Sequence, residues 1–101
     1  MWLMVQFDVP MESKCQRLAY RRLRKELRFL GFNALQKSVY LRWEDNDAAA
    51  ETKCGQLAGW IPDEGSLSIL RLSERSMKSA SFYENGKPVS TPDQPEKLIL
   101  L

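Results

Sequence analysis

Apolar residues alternate and cluster along the chain in a way that predicts strands and helices in a mixed order. Residues 2–7 are apolar and partly β-favouring, as in a buried strand, and Val9-Pro10 ends it because proline offers no ladder donor. From Glu12 or Ser13 the period changes to that of a helix, running to about Leu30 with Gly31 as a left-handed cap. Cys15, Ala19, Leu23, Leu27 and Leu30 form the side expected to pack on a sheet. Phe32–Trp43 is extended chain, as one kinked strand or two short ones, with Val39, Leu41 and Trp43 on one face and Ser38, Tyr40 and Arg42 on the other. Asp45-Asn46-Asp47 offers N-caps for a second helix over about 47–59, with small apolar positions Ala50, Cys54, Leu57 and Ala58. Ile61–Gly65 is a turn, Ser66–Leu72 a strand with Leu67 and Ile69 on one side, and Ser73–Ala80 a short helical turn. Asn85-Gly86 is a turn signal, Pro88–Pro95 has linker composition, and Leu98–Leu101 is an apolar tetrapeptide.

The order β-α-β(β)-α-β predicts an α+β, ferredoxin-like sandwich over residues 1–83, a linker over 84–97, and an additional C-terminal strand at 98–101 that packs on its own or a partner's sheet. Two helices would cover one sheet face. The other face needs a cover, most simply a second subunit, so a homodimer is expected.

Composition narrows the chemistry. The chain has 101 residues, 2 cysteines and no histidine. The two cysteines, Cys15 and Cys54, are far apart in sequence, which removes the usual zinc patterns and every histidine-assisted nucleophile. No apolar run approaches the ~20 residues of a membrane helix, and the start lacks the basic region and cleavage site of a signal peptide. A reducing cytoplasm is the expected compartment.

The net charge of +2 conceals a strong asymmetry. Lys14, Arg17, Arg21, Arg22, Arg24, Lys25 and Arg28 face only Glu26 within residues 14–28, a local +6, leaving −4 for the rest. Lys14, Arg17, Arg21, Arg24 and Arg28 recur at helical spacing nearly opposite the apolar side, with Arg22 between the faces. A charged helix face is ordinarily a solvated one. This one lacks the interleaved glutamates that would pair its cations, and guanidinium groups suit phosphate. A polyanion bound through backbone and shape is therefore the expected partner, and Lys37 and Arg42 would extend the surface. Tyr40 and Trp43 have two readings, base stacking or core packing. No glycine-rich phosphate loop is present.

Asp8 follows the first strand directly. A carboxylate there is either a turn residue or a ligand for a hard cation such as Mg²⁺ or Mn²⁺. Metal-assisted phosphodiester hydrolysis usually needs more than one carboxylate, which two copies of Asp8 meeting in a dimer would supply.

The string Met4-Val5-Gln6-Phe7-Asp8-Val9-Pro10, the arginine-rich helix, and Gly31-Phe32…Leu35-Gln36-Lys37-Ser38-Val39-Tyr40 together resemble the small CRISPR-associated adaptation protein family. Ile61-Pro62…Gly65-Ser66-Leu67-Ser68-Ile69-Leu70-Arg71-Leu72 resembles that family's later P-x-x-G turn and strand. The form found beside single-effector CRISPR systems is the most similar. The resemblance implies a ferredoxin-like homodimer that bridges two dimers of the CRISPR integrase and supports duplex DNA during spacer acquisition. It also implies a metal-dependent endonuclease activity, on DNA or RNA, with Asp8 as metal ligand and catalytic residue. Asp8 then has three readings: metal site, dimer-interface carboxylate, or relic. Arg42-Trp43 and the long 84–97 segment depart from the family pattern. Two other functions fit the residues less fully, a stand-alone toxin-like Mg²⁺ endoribonuclease and a non-catalytic ferredoxin-like domain that binds a regulatory ligand.

Overall fold

The computed structural model describes residues 1–95. The expected strand at Leu98–Leu101 lies outside the described residues.

Four strands form an antiparallel sheet in the order β2-β3-β1-β4: β1 (Trp2–Asp8), β2 (Asn33–Gln36), β3 (Val39–Trp43) and β4 (Ser66–Leu72). Between them run α1 (Lys14–Phe29) and α2 (Asp47–Ala58), which gives the ferredoxin-like arrangement. The extended segment after α1 is two strands joined at Lys37-Ser38, with a register shift between Ala34 and Gln36. The central strand β1 is paired on both sides, with Gln6 opposite Val39 on one and Ser68 on the other.

Strand alternation splits the core in two. Leu3, Val5 and Phe7 point to the helices and pack with Tyr20, Leu23, Leu27, Leu30, Phe32, Tyr40, Ala50 and Leu57. Trp2, Met4 and Leu41 point to the opposite face, where Met77 joins them.

Each helix end has a chemical cause. Ser13 caps α1: its Oγ accepts from the Gln16 backbone N–H at 3.1 Å, while Gln16 Oε1 accepts from the Ser13 N–H at 2.9 Å. At the far end Gly31 adopts φ +86°, the Phe32 N–H donates to the Leu27 carbonyl at 2.9 Å, and the Gly31 N–H donates to that of Arg28 at 3.0 Å. This is the left-handed glycine cap expected of Gly31. Asn46 caps α2 and Ser73 caps α3 (Glu74–Ser79).

Three expectations change. Cys15 and Ala19 are exposed, and Tyr20 takes the buried position in their stead. The first turns of α1 run past the end of β1, so these residues line a shallow groove with Val9, Pro10 and the 62–64 turn. In α2, Ala50 and Leu57 are buried whereas Ala58 is exposed. Thirdly, the segment expected to begin a linker at 84 first completes a hairpin. Strands β5 (Phe82–Glu84) and β6 (Lys87–Val89) join through Asn85 and Gly86 at φ 51° and 77°, the paired positive angles of a tight hairpin turn.

Candidate nucleic-acid interface and strand-end carboxylate

Two features of the fold carry candidate chemistry, and they lie on different sides of the sheet. The first is the outer surface of α1. Lys14, Arg17, Arg21, Arg22, Lys25 and Arg28 are exposed, and Arg24 is half-buried. The two ion pairs among the described residues are Arg42–Glu44 and Arg71–Glu51, so no cation of α1 is neutralised by a carboxylate there. Arg21, Arg24, Lys25 and Arg28 line a groove of about 230 Å³ along the helix. Lys37, at the β2–β3 turn, lines an adjoining groove of about 400 Å³ with Tyr20, Arg24, Tyr40 and Glu84. The fold thus brings Lys37 beside the helix.

Other members of the expected basic set are differently engaged. Arg17 Nη1 donates to the carbonyls of Glu12 at 2.8 Å and Met11 at 3.3 Å, bracing the loop before the helix. Arg42 turns to the helix side of the sheet, where Glu44 accepts from its Nε. Glu44 is buried, so Arg42 is committed to holding that carboxylate. Arg24 Nε donates to Tyr40 Oη at 3.2 Å, and its guanidinium carbon lies 5.4 Å from the centre of the Tyr20 ring. Its pKa is raised, first by the Tyr40 hydrogen bond, then by the electrostatic influence of Tyr40 and Tyr20. Neither Tyr20 nor the Tyr20–Arg24–Tyr40 contact was foreseen. The signal lay in the i,i+4 spacing of Tyr20 and Arg24.

The two aromatic candidates resolve toward packing. Tyr40 is buried and stacks on Phe7 with ring centres 5.9 Å apart. Trp43 meets Trp2 edge-on at 5.4 Å and donates from Nε1 to Asp45 Oδ1 at 3.1 Å.

The second feature is Asp8, the last residue of β1. Alternation places it with Gln6 on the face away from α1 and α2, and both are exposed. It stands opposite Ser66 in the ladder with β4. The turn before β4 sets this end of the sheet. Gly65 has φ +89°, and a Cβ there would fall 2.3 Å from the Asp8 carbonyl oxygen. Gln16 Nε2 ties the same turn to α1 by donating to Glu64 Oε2 at 2.8 Å. The Pro62–Gly65 turn is therefore built against the backbone of Asp8.

Among the described residues no group of three or more histidine, cysteine, aspartate or glutamate side chains could hold a metal. Asp8 is an exposed carboxylate at this end of β1, and a hard cation that keeps its waters can be held by one or two carboxylates. Each chain supplies one such carboxylate. Among the described residues, no helix is long and apolar enough to cross a membrane.

Known proteins resemble the chain over this same extent. The chain is 33% identical over 101 residues to the CRISPR-associated endoribonuclease Cas2 of Ligilactobacillus salivarius (strain UCC118), covering 100% of both. It is 33% identical over 97 residues to the protein of that name from Paracidovorax avenae, covering 93% of this chain and 90% of that protein. The Flavobacterium psychrophilum protein of that name is 27% identical over 101 residues, or 100% of this chain and 87% of the relative. Among solved structures, the crystal structure of Streptococcus pyogenes Cas2 at pH 6.5 superposes with a TM-score of 0.65 at 20% identity, covering 83% of this chain and all of that one, and so shares the fold. The family profile described as CRISPR associated protein Cas2 matches residues 1–80, which hold β1 with Asp8, the arginine-rich helix and the Pro62–Gly65 turn, and the chain belongs to that family.

Proposed function

We propose that the protein works in CRISPR adaptation as a homodimer that binds the backbone of duplex DNA and bridges dimers of the CRISPR integrase. The observation that carries this reading is the row of unneutralised cations on α1, joined by Lys37 at the neighbouring turn. Phosphates attract such a row irrespective of base sequence, which suits a protein that handles DNA of any sequence. Bridging follows from the family resemblance.

Fluorescence anisotropy with a labelled duplex across a salt series tests the binding. Affinity should fall steeply with salt, with a slope of about 0.9 per phosphate contact on a logarithmic plot. Arg21→Glu with Arg28→Glu should weaken binding and flatten that slope. A salt-independent or undetectable affinity would overturn the reading. Co-purification with the neighbouring integrase at low salt tests the bridging role, and failure there would remove it.

A second reading, metal-dependent phosphodiester hydrolysis, is favoured by the exposure of Asp8 at the end of β1 and by the endoribonuclease names of the relatives. Here Asp8 from two copies would hold Mg²⁺ or Mn²⁺, and the ion would polarise the phosphoryl oxygens and the attacking water. Purified protein incubated with Mg²⁺ and RNA or DNA, beside Asp8→Ala, tests it. Equal turnover by the two proteins would remove Asp8 as ligand.

A further inference from the structure

We infer that Arg24 is the pre-oriented phosphate ligand of the basic surface, aimed by the buried Tyr40 hydroxyl and the Tyr20 ring at a phosphodiester lying between α1 and the Lys37 turn. This rests on the backbone-binding reading and deepens it.

Arg24 differs from Arg21, Lys25 and Arg28, its neighbours in the groove, in being held. Its Nε donates to Tyr40 Oη at 3.2 Å and its guanidinium lies over Tyr20. Tyr40 is itself fixed in the core, stacked on Phe7. That is the one well-formed hydrogen bond of the guanidinium among the described residues, so its terminal nitrogens can turn to an anion. These two nitrogens form the paired donor edge that matches two phosphate oxygens. Arg24 lines both basic grooves, the one along α1 with Arg21, Lys25 and Arg28, and the one reaching Lys37. It is the residue the two grooves share.

A held guanidinium loses less freedom on binding than a free one, so its contact should contribute more affinity per charge. Tyr40 thus acts as a positioning residue, through Arg24. Glu84, on the β5–β6 hairpin, lines the same cleft and opposes the anion. Removing its charge should tighten binding.

The test is duplex affinity across salt for four proteins: native, Tyr40→Phe, Arg24→Lys and Glu84→Gln. Tyr40→Phe keeps the core ring and every charge. It should weaken binding about fivefold, on the scale of one net hydrogen bond, while leaving the salt slope unchanged. Arg24→Lys, on the half-exposed helix side, should do the same, and it keeps the test valid if Tyr40→Phe does not fold. Glu84→Gln should bind more tightly than native. If Arg24→Lys and folded Tyr40→Phe bind as native does, while Arg21→Glu with Arg28→Glu loses affinity, Arg24 is a brace and the inference fails alone. If native protein shows no salt-dependent binding, the backbone reading fails and takes the inference with it.

Discussion

Gly65 shows how one residue can set the position of a functional group it does not touch with a side chain. Its φ of +89° lies in the region that L side chains adopt at a cost, and its missing Cβ leaves room for the Asp8 carbonyl and the Val9 Cα. Gly65→Ala adds both penalties at once, a strained backbone and a clash with backbone atoms that cannot swing away. The left-handed conformation alone costs about 1–2 kcal/mol for a non-glycine residue. We expect the free energy of unfolding to fall by at least that amount, seen in chemical unfolding as a lower denaturant midpoint with an unchanged slope. Because the strain relaxes by moving the end of β1, any activity that depends on Asp8 should fall further than stability does. Gly31 offers a contrast at the same scale. A Cβ there would meet the guanidinium of Arg42, which can move only by loosening its hold on the buried Glu44. Gly31→Ala should therefore cost the backbone term plus part of that ion pair.

Among the elements, the six-residue α3 has the least intrinsic stability, since so short a helix holds only by what it buries. Met77 is fully buried against Trp2, Met4 and Leu41, and Glu74 accepts a hydrogen bond from Trp2 Nε1 at 3.1 Å. Met77→Ala should cost about 2–5 kcal/mol. It should also shift tryptophan emission to the red as Trp2 is wetted, whereas an unmoved spectrum would mean α3 holds without its anchor. The elements differ in how legible they were. Periodicity located β1, α1, α2 and β4 closely, because each buries one face of a regular repeat over many residues. The glycine cap at Gly31 and the turn at Asn85-Gly86 were legible because left-handed backbone selects those residues. What periodicity could not show is where a neighbouring element stops. Cys15 and Ala19 continue the apolar spacing of α1, yet the sheet ends beneath them, and Tyr20 packs on Phe7 instead. The helical spacing likewise placed Arg24 and Arg28 on one stripe. Only the fold brings Tyr40 up beneath Arg24 and separates their roles. Glu44 lies two residues on and so shares a face with Arg42 in extended chain, but that this face is the buried one, which commits Arg42 to the carboxylate, is set by the fold.

At the scale of the whole molecule the face away from α1 and α2 is covered unevenly. Met77 and Phe82 close over the Trp2–Met4–Leu41 end, so the chain itself supplies part of the cover for which a second subunit is the simplest expectation. The other end presents Gln6, Asp8, Ser66, Ser68 and the partly exposed Leu70. Under the dimer reading this end meets its counterpart, and the carboxylate that one chain provides becomes two. Hydrolysis and dimerisation should then be one equilibrium. Turnover per chain with Mg²⁺ should fall in step with the dimer fraction as protein is diluted, followed in parallel by sedimentation velocity, and at low dimer fraction it should rise linearly with protein concentration. Leu70→Asp, placed on the same face of β4, should lower both together while leaving the helix-side core intact. Mixing native chains with an excess of Asp8→Ala chains extends the test, since mixed dimers hold one carboxylate: the mixture should lose activity in proportion to the native chains captured in them. A turnover per chain that stays constant while the dimer dissociates would place the chemistry within a single subunit and end the paired role of Asp8, leaving the cations of α1 to act without it.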